Sequence, residues 1–243
     1  MPESLVLLHG FSGTHRAWDG VVAALGGERY NPVLALDLPG HGRAADAPRP
    51  LGFERCVAHV LERSPERFAL CGYSLGGRVA LHVALAAPER VARLVLVSCS
   101  PGIEDPAERA ARRASDEALA RELETGPFER FIERWRGQPL FAGEPAAAAA
   151  LARADQRRNR PDALAAALRG LGAGAMRPLW GRLGELAMPV SVIVGERDHK
   201  YRALARRMLG LLGDGELVVL EGGHGLALES PRALANALER AAG

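Results

Sequence analysis

A serine enclosed by two glycines has the clearest chemical meaning in this sequence of 243 residues. The segment Gly72–Gly76 reads Gly-Tyr-Ser-Leu-Gly; it follows the apolar run Phe68–Cys71 and leads into a helical pattern that begins at Leu75. A G-x-S-x-G segment between a strand and a helix is typical of a nucleophile elbow, a sharp turn that exposes the serine hydroxyl. The helix N-terminus also favours negative charge that develops there. We predict that Ser74 carries the reactive hydroxyl.

A serine hydroxyl is inert until a base accepts its proton, and in sites of this kind the acid and then the base follow the serine along the chain. His224 comes directly after the last predicted strand, within a Gly-His-Gly segment, and is the predicted base. Asp198 closes a Gly-Glu-Arg-Asp segment after the preceding predicted strand. We predict that it orients the imidazole and stabilises its charged form. Glu196, in the same segment, is the alternative acid.

The negative oxygen that forms in such reactions needs two backbone N–H donors. Leu75, the residue after the serine, is predicted to supply one of them. The loop after the first predicted strand, His9–Gly13 (His-Gly-Phe-Ser-Gly), is predicted to supply the other through Phe11. His9 itself is interpreted as a structural residue that holds this loop. The turn Asp37–Gly42 (Asp-Leu-Pro-Gly-His-Gly) is interpreted as scaffolding.

Six short apolar runs must position these loops. Each is rich in branched aliphatic residues and is bounded by glycine, proline or charged residues, as strands are. The runs are Leu5–Leu8, Val33–Leu36, Phe68–Cys71, Leu94–Val97, Val190–Val194 and Leu217–Leu220. Helical patterns lie between them, near Arg16–Leu25, Phe53–Arg63, Leu75–Ala86, Tyr201–Leu212 and Pro231–Ala241. Fully apolar short strands that alternate with helices predict an α/β fold with a mostly parallel, doubly wound sheet covered on both faces.

The stretch 101–186 breaks this alternation, because it contains helical patterns but no convincing strand. Asp105 followed by Pro106 is a typical helix start, with a capping side chain before a proline in the first helical position. Helical insertions at the carboxyl ends of parallel strands commonly form lids, and ligands bind at that end of the sheet. We therefore predict a core formed by residues 1–100 and 187–243 and an all-helical lid insertion formed by residues 101–186.

The composition excludes several other classes of protein. The net charge of +2 is too small to indicate nucleic acid or a membrane surface as a partner. Three cysteines, Cys56, Cys71 and Cys99, indicate neither a disulfide framework nor a metal site. The N-terminus lacks the pattern of a signal peptide, and no apolar run approaches the ~18 residues of a membrane-spanning helix. We therefore expect a cytoplasmic protein.

The motifs above occur in the order found in α/β-hydrolases, and further segments narrow the resemblance. These are Gly76–Arg78 (Gly-Gly-Arg), Ser98–Gly102 (Ser-Cys-Ser-Pro-Gly), Trp135–Phe141 (Trp-Arg-Gly-Gln-Pro-Leu-Phe) and Asp198–Tyr201 (Asp-His-Lys-Tyr). From Leu8 to Pro231 the sequence resembles the 2-succinyl-6-hydroxy-2,4-cyclohexadiene-1-carboxylate synthases of menaquinone biosynthesis, which have the α/β-hydrolase fold. The resemblance implies a lyase without metal or cofactor that eliminates pyruvate from 2-succinyl-5-enolpyruvyl-6-hydroxy-3-cyclohexene-1-carboxylate. In that reaction Ser74, activated by His224, would remove a ring proton instead of attacking an acyl carbon.

The resemblance also implies which residues bind this small polycarboxylate. Besides Arg78, the matching positions are Arg112, Arg157, Tyr73, Trp135 and Phe141. For Arg157 the alignment slips by one residue, with Gln156 at the expected position. Arg78 has an independent argument, since it lies four residues after Ser74 and therefore on the same face of the predicted helix. Arginine suits carboxylates because its guanidinium donates two parallel hydrogen bonds. Most other lid charges are expected to be solvated faces of amphipathic helices.

Two other functions are compatible with these residues, because fold and triad do not fix the substrate. The first is a carboxylesterase, thioesterase or C–C bond hydrolase in which Ser74 is a covalent nucleophile. The second is a non-catalytic binding protein on the same fold, such as a small-hormone receptor, for which an intact triad has no purpose. In each case we expect a monomer or a small homo-oligomer that takes a small molecule.

Overall fold

All six predicted strands are present and form one sheet. The computed structural model of the chain describes residues 2–241. The strands are β1 (Glu3–Leu8), β2 (Tyr30–Leu36), β3 (Phe68–Tyr73), β4 (Val91–Val97), β5 (Val190–Gly195) and β6 (Gly215–Leu220). Their order is β2-β1-β3-β4-β5-β6, and every pairing between these described strands is parallel. The predicted α/β architecture is therefore confirmed.

The sheet is buried on both faces, as its apolar strands require. In β1, Leu5 and Leu7 pack into the core on one face, whereas Val6 and Leu8 pack into the core on the other. Side chains alternate between the faces of a strand, and all four of these are fully buried. Burial of a valine or leucine side chain stabilises a fold by roughly 1.5–3 kcal/mol. Two apolar layers thus fix the strands, whose carboxyl ends carry the loops of interest.

Ten α-helices lie within the described residues. They are α1 (Asp19–Ala24), α2 (Phe53–Arg63), α3 (Leu75–Ala86), α4 (Pro106–Thr125), α5 (Phe128–Arg136), α6 (Ala146–Gln156), α7 (Pro161–Leu171), α8 (His199–Leu209), α9 (Leu226–Glu229) and α10 (Pro231–Arg240). Helices α2, α3 and α8 cover one face of the sheet, and α1, α9 and α10 cover the other. Between residues 2 and 241, none of the helices has both the length and the apolar character needed to cross a membrane.

Two helices differ from their predicted bounds by two residues or more, and α10 ends one residue before its predicted end. The predicted helix Arg16–Leu25 is divided into a 3₁₀ turn, His15–Trp18, and the shorter α1. The predicted helix Tyr201–Leu212 corresponds to α8, which starts two residues earlier and ends three residues earlier. The helix begins directly after Asp198, which is its N-cap residue. It ends before Gly210, because glycine commonly terminates helices.

The segment between β4 and β5, all of which is described, contains helices and no strand. As the sequence indicates, Asp105 caps α4: its carboxylate accepts a hydrogen bond from the Glu108 N–H at 2.7 Å, and Pro106 follows in the first helical position. Helices α4, α5 and α7 share a separate apolar core. Phe11, in the loop after β1, packs against that core. The helical segment 101–186, called the lid below, therefore lies over the carboxyl end of the sheet.

Candidate active site

Ser74 lies in a strained turn between β3 and α3. Its backbone angles, φ 52° and ψ −107°, fall outside the regions that non-glycine residues prefer. Neighbouring glycines make this turn possible: a Cβ at Gly76 would lie 2.1 Å from the Leu8 carbonyl oxygen, and one at Gly72 would lie 2.3 Å from the Gly76 carbonyl oxygen. The Ser74 N–H donates to the Val97 carbonyl at 2.9 Å, which fixes the turn to β4. The turn has the geometry of a nucleophile elbow.

The side chains of Ser74, His224 and Asp198 form one hydrogen-bonded chain. The Nε2 atom of His224 lies 3.3 Å from Ser74 Oγ, and its Nδ1 atom lies 2.7 Å from Asp198 Oδ2. The histidine and the aspartate are 2% and 5% exposed, so water is kept from their contact. Glu196, the alternative acid, is an exposed residue whose carboxylate lies 3.9 Å from the Arg197 guanidinium. With Nδ1 donating to the aspartate, Nε2 can accept the serine proton.

Glu229, whose side chain is 3% exposed, holds the loop that carries His224. Its Oε2 atom accepts from the Gly223 N–H at 2.9 Å, and its Oε1 atom accepts from the Gly225 N–H at 3.0 Å. Oε2 also accepts from Nη2 of Arg197 at 2.7 Å, and Arg197 directly precedes the triad aspartate. One carboxylate thus joins the base loop to the acid loop. No role was predicted for Glu229, although it begins a Glu-Ser-Pro segment that follows the Gly-His-Gly segment.

Aromatic rings surround the imidazole of His224. The ring centroids of Tyr73, Tyr201 and Phe141 lie 5.3, 4.6 and 6.0 Å from the imidazole centroid. Burial raises the pKa of both tyrosines, so their phenols are protonated at neutral pH and can donate hydrogen bonds. Tyr201 had no predicted role, although it belongs to the Asp-His-Lys-Tyr segment that marks the resemblance.

The loop Gly10–Thr14, called the oxyanion loop below, lies against the elbow. A Cβ at Gly10 would lie 3.5 Å from the Ser74 Cβ and only 2.7 Å from a ring carbon of the preceding tyrosine, so this approach requires glycine. Leu75 is the first residue of α3, and the N–H groups of a first helical turn have no acceptor within the helix. The segments that carry the two predicted donors, Phe11 and Leu75, therefore meet beside the serine.

His9 fixes the start of the oxyanion loop, which is the structural role that the sequence indicates. Its Nε2 atom accepts from the Leu38 N–H at 3.0 Å, and its Nδ1 atom lies 2.8 Å from the Gly10 carbonyl oxygen. Burial lowers the pKa of His9, and it lowers the pKa of His41, whose ring centroid lies 4.9 Å away, to about 3. Both rings are therefore neutral at neutral pH, as the accepting Nε2 of His9 requires.

Ser74 faces a cavity that also contains Arg78 and Arg112. The cavity has an empty volume of ≈ 620 Å³. Its other lining residues include Phe11, Trp135, Gln138, Leu168 and Tyr201. Arg78 is 9% exposed, and its Nη1 donates to the Leu171 carbonyl at 2.9 Å. Burial lowers the pKa of Arg78 to about 10, which leaves the guanidinium charged at neutral pH. Arg112 Nε donates to Oδ1 of the buried Asp116 at 2.8 Å.

A second cavity lies beyond Phe11 and Trp135, which line both cavities. The two rings are in contact, with centroids 4.9 Å apart, and so form the partition between the cavities. Of the residues predicted to bind substrate, Arg78 and Arg112 thus line the same cavity as Ser74. Tyr73 and Phe141 line the second cavity, and Trp135 is part of the partition between the two.

Arg157 lies at neither cavity. Its guanidinium makes two hydrogen bonds of 2.8 Å to Glu129, and its side chain is 51% exposed. The preceding residue, Gln156, is buried and lines the second cavity. Adjacent helical residues point about 100° apart, so a difference of one position exchanges the inward and outward faces. A further arginine in the wall of the second cavity, Arg136, forms a buried ion pair with Glu144 that was not anticipated from the sequence.

Other reactive side chains are few in the part of the chain that the structure describes. No group of three or more His, Cys, Asp or Glu residues there could hold a metal ion. The three cysteines are buried and free. Burial raises the pKa of Cys56 and Cys99 to about 12, so these thiols are protonated and poor nucleophiles at neutral pH.

Comparisons with known sequences identify a family and several relatives. Residues 5–237 match the alpha/beta hydrolase family. The 2-succinyl-6-hydroxy-2,4-cyclohexadiene-1-carboxylate synthase of Salmonella schwarzengrund (strain CVM19633) is 34% identical over 241 residues, which cover 97% of this chain and 92% of that protein. The synthase of the same name from Salmonella paratyphi C (strain RKS4594) is 35% identical over 240 residues, with the same two coverages.

Solved structures agree with the sequence comparisons. MenH from S. aureus matches with a TM-score of 0.92 at 30% identity, over 98% of this chain and 92% of that one. The enol-lactonase from Burkholderia xenovorans LB400 matches with a TM-score of 0.82 at 21% identity, over 99% of this chain and 91% of that one, a likeness that concerns the fold alone. The resemblance found in the sequence is confirmed.

Proposed function

Because this chain belongs to the alpha/beta hydrolase family and is an enzyme of that fold, we propose that it is a lyase of menaquinone biosynthesis. Its substrate would be 2-succinyl-5-enolpyruvyl-6-hydroxy-3-cyclohexene-1-carboxylate, and its products 2-succinyl-6-hydroxy-2,4-cyclohexadiene-1-carboxylate and pyruvate. The observation that carries the proposal is the presence of Ser74, Arg78 and Arg112 in one cavity. Relatives named for synthesis of this cyclohexadiene support it.

The structures of substrate and product define the bonds that change. The substrate has a ring double bond at C3 and an enolpyruvyl ether at C5, whereas the product has double bonds at C2 and C4 and no ether. The proton on C2, which the adjacent succinyl carbonyl acidifies, is removed. Its electron pair forms C2=C3, the former C3=C4 pair forms C4=C5, and the C5–O bond breaks. The departing enolate of pyruvate then takes up one proton on its methylene carbon, which balances the proton lost from the ring.

Ser74 and His224 are arranged to remove that proton. Since His224 Nε2 lies 3.3 Å from Ser74 Oγ, the imidazole can take the hydroxyl proton as the serine oxygen takes the ring proton. Asp198, 2.7 Å from Nδ1, stabilises the imidazolium that results. The imidazolium is also the acid from which the enolate can regain a proton. The imidazole must be neutral when the reaction starts, because only then can Nε2 accept a proton.

Negative charge gathers on the enolate oxygen as the C5–O bond breaks. In this proposal the N–H groups of Phe11 and Leu75 donate to that oxygen beside Ser74. Donors fixed in advance by the fold need no reorganisation when the charge appears, and losing one such donor raises a barrier by about 2.7–4 kcal/mol. The rigid elbow and the oxyanion loop that lies against it suit this role.

The substrate carries three carboxylates, which explains why two arginines line the cavity of Ser74. Arg78 and Arg112 would each bind one carboxylate, with a charge and a fork geometry that an ordinary ester substrate does not need. The ring of Trp135, which lines the same cavity as Ser74, would lie against the apolar part of the substrate. Tyr73 and Phe141 lie across the partition and would contact only a part of the substrate that extends into the second cavity. Arg157 is left out of this proposal, because its guanidinium is engaged with a surface carboxylate.

Proton NMR of the reaction, combined with the intact mass of the protein during turnover, tests the proposal. We expect the ring diene and pyruvate to appear in equal amounts, with no covalent adduct on Ser74. A covalent hydrolase is the competing function, since the 3.3 Å contact between Ser74 and His224 also suits attack on an acyl carbon. Cleavage of aryl esters through an acyl adduct, with no diene formed from the substrate, would reject the lyase and establish the hydrolase.

A further inference from the structure

The end of α6 in the lid is hydrogen-bonded to the end of the oxyanion loop. Asp155 Oδ2 accepts from the Thr14 N–H at 2.8 Å, and Asp155 Oδ1 accepts from the Thr14 hydroxyl at 2.5 Å. The two residues are 6% and 1% exposed, so water cannot readily replace these bonds. A buried donor left without its acceptor destabilises a structure, because it has lost its hydrogen bonds to water as well. Asp155 therefore determines where this end of the loop lies.

The middle of the oxyanion loop is held in a conformation that a serine avoids on its own. Ser12 has a left-handed backbone, with φ at 63°, a conformation that is strained for a residue with a Cβ. Gln156 Nε2 donates to the Ser12 hydroxyl at 2.8 Å, and Asn159 Nδ2 donates to the Ser12 carbonyl at 2.8 Å. The amides of Gln156, the last residue of α6, and Asn159, in the turn that follows α6, thus stabilise the strained residue that follows Phe11.

Asn159 also connects the oxyanion loop to the next loop of the core. Its Oδ1 atom accepts from the Gly42 N–H at 2.9 Å. Gly42 ends the turn whose Leu38 N–H donates to His9, at the start of the oxyanion loop. The loop is therefore held at its start by the core, and at its middle and end by the lid.

We propose that Asp155, Gln156 and Asn159 are positioning residues that set the oxyanion loop, so that the Phe11 N–H points to the site beside Ser74 only when α6 is in place. None of the three has to touch the substrate in this role. The inference rests on the proposed function only in taking Phe11 as the donor to the oxyanion. It makes the lid a part of the catalytic apparatus and not merely its cover.

Kinetics of matched variants test this coupling. Asn159→Ala and the isosteric Asp155→Asn are compared with Leu151→Ala, a control at a residue of α6 that is 58% exposed. Loss of an oxyanion donor lowers kcat by about 10²–10³-fold, so a displaced donor is expected to lower kcat for pyruvate release by about 10–100-fold. KM should stay near the wild-type value, and Leu151→Ala should match the wild type in both constants. Thermal unfolding midpoints show whether each variant is folded.

Hydrogen–deuterium exchange of the amides in residues 10–14 gives a second readout that needs no activity. Faster exchange in Asn159→Ala and Asp155→Asn, and not in Leu151→Ala, is expected. If Asn159→Ala does not fold, Gln156→Ala takes its place. Folded variants with wild-type kcat, or with a loss confined to KM, would overturn the proposal; so would an equal loss in Leu151→Ala. If the wild type releases no pyruvate, the proposed function fails, whereas exchange and aryl-ester cleavage, which uses the same donors, still test the loop.

Discussion

At the scale of single residues, the positive charge of the cavity that Ser74 faces depends mainly on Arg78. Its hydrogen bond goes to the neutral carbonyl of Leu171, whereas the Arg112 guanidinium is bonded to the carboxylate of Asp116. Arg78 therefore contributes a full positive charge, and Arg112 contributes a charge that is largely compensated. A buried charge with a neutral partner is costly for the fold, and an anionic substrate would remove that cost. Arg78 should thus contribute more than Arg112 to the binding of a carboxylate.

Arg78→Ala is expected to lower kcat/KM for pyruvate release roughly 10–160-fold, because a hydrogen bond to a charged group is lost. This change corresponds to a loss of about 1.5–3 kcal/mol of transition-state stabilisation. Arg112→Ala should cause a smaller loss. Arg157→Ala removes a guanidinium that is bonded to Glu129 at the surface and should leave kcat/KM nearly unchanged. Steady-state kinetics of the three variants provide the check, and a wild-type kcat/KM for Arg78→Ala would contradict the account.

The triad was predictable at this scale, because each of its members follows a strand that the apolar pattern reveals. The buried polar partners were not, because their roles depend on residues that are distant in the chain. Asp155, for example, bonds to Thr14 across 141 positions. The prediction for Arg157 illustrates another limit, since a step of one residue along a helix turns the side chain by about 100°. The alignment put Gln156 at the expected position, and the structure shows that this residue, and not Arg157, lines the second cavity.

At the scale of elements, the loops after β5 and β6 carry the acid and the base and are fixed to each other. The Arg197 N–H donates to the Gly222 carbonyl at 3.0 Å. Glu229, at the end of α9, accepts the N–H groups on both sides of His224 and also binds the Arg197 guanidinium. The imidazole is therefore placed relative to its acid by this carboxylate as well as by its own hydrogen bond.

Glu229→Gln is expected to lower kcat by about 10-fold or more, since each hydrogen bond to the charged carboxylate contributes about 1.5–3 kcal/mol and the amide can accept only some of them. KM should change little, because Glu229 does not line the cavity that Ser74 faces. Glu196→Gln, which alters an exposed carboxylate on the acid loop, is the matched control and should resemble the wild type. The measurement is kcat and KM together with the unfolding midpoint. A stably folded Glu229→Gln with wild-type kcat would exclude the positioning role.

The contact of α3 with β1 depends on Gly76. A Cβ there would lie 2.1 Å from the Leu8 carbonyl oxygen, a backbone atom of a central strand that cannot easily move. Gly76→Ala is therefore expected to lower the free energy of unfolding by about 3 kcal/mol or more, or to prevent folding. Gly181→Ala, where a Cβ would meet nothing within 4 Å, should be close to wild type. Urea unfolding compares them, and equal midpoints would show that the elbow tolerates the methyl group.

Element boundaries show what sequence patterns can and cannot provide. The structure confirms the predicted bounds of α2 and α3, where apolar periodicity is clear, Gly52 precedes α2 and Pro88 follows shortly after α3. In contrast, β2 begins at Tyr30, three residues before its predicted start at Val33. The extension begins with Tyr30, which pairs with Glu3 of β1. The start of such a strand is set by pairing with its neighbour, which an apolar pattern in the sequence does not reveal.

At the scale of the whole molecule, two buried histidines make stability depend on pH. Burial lowers the pKa of His9, and it lowers that of His41 to about 3. In the unfolded chain a histidine titrates near pH 6.5. Between about pH 6.5 and pH 3 the unfolded state therefore binds more protons than the folded state. Stability is fully present above pH 6.5 and decreases as the pH falls through this range.

The free energy of unfolding is expected to be lower at pH 5 than at pH 7.5 by about 2 kcal/mol from His41 alone, with His9 acting in the same direction. His41→Gln should reduce this pH-dependent drop by about the same amount, because glutamine does not titrate. Urea unfolding of both proteins at the two pH values gives the comparison. An undiminished drop in His41→Gln would mean that the buried imidazole is not the group responsible.

The complete site exists only where core and lid meet. The core supplies the triad and Arg78, whereas the lid supplies Arg112, Trp135 and the residues that hold the oxyanion loop. A triad on this fold is compatible with many reactions. The lid arginine and the buried core arginine are what favour an anionic substrate and a lyase over an ordinary esterase. The sequence indicated this combination through its resemblance, but the shared cavity was not visible in it.

The rate of pyruvate release from 2-succinyl-5-enolpyruvyl-6-hydroxy-3-cyclohexene-1-carboxylate, coupled to NADH oxidation by lactate dehydrogenase, tests the central claim most directly. The wild type is expected to show a kcat/KM of about 10⁴–10⁸ M⁻¹s⁻¹, the range of natural substrates. Ser74→Ala, folded to the same extent, should lose about 10³-fold or more in kcat. A folded wild type that releases no pyruvate while cleaving aryl esters, or a Ser74→Ala variant as fast as the wild type, would contradict the account.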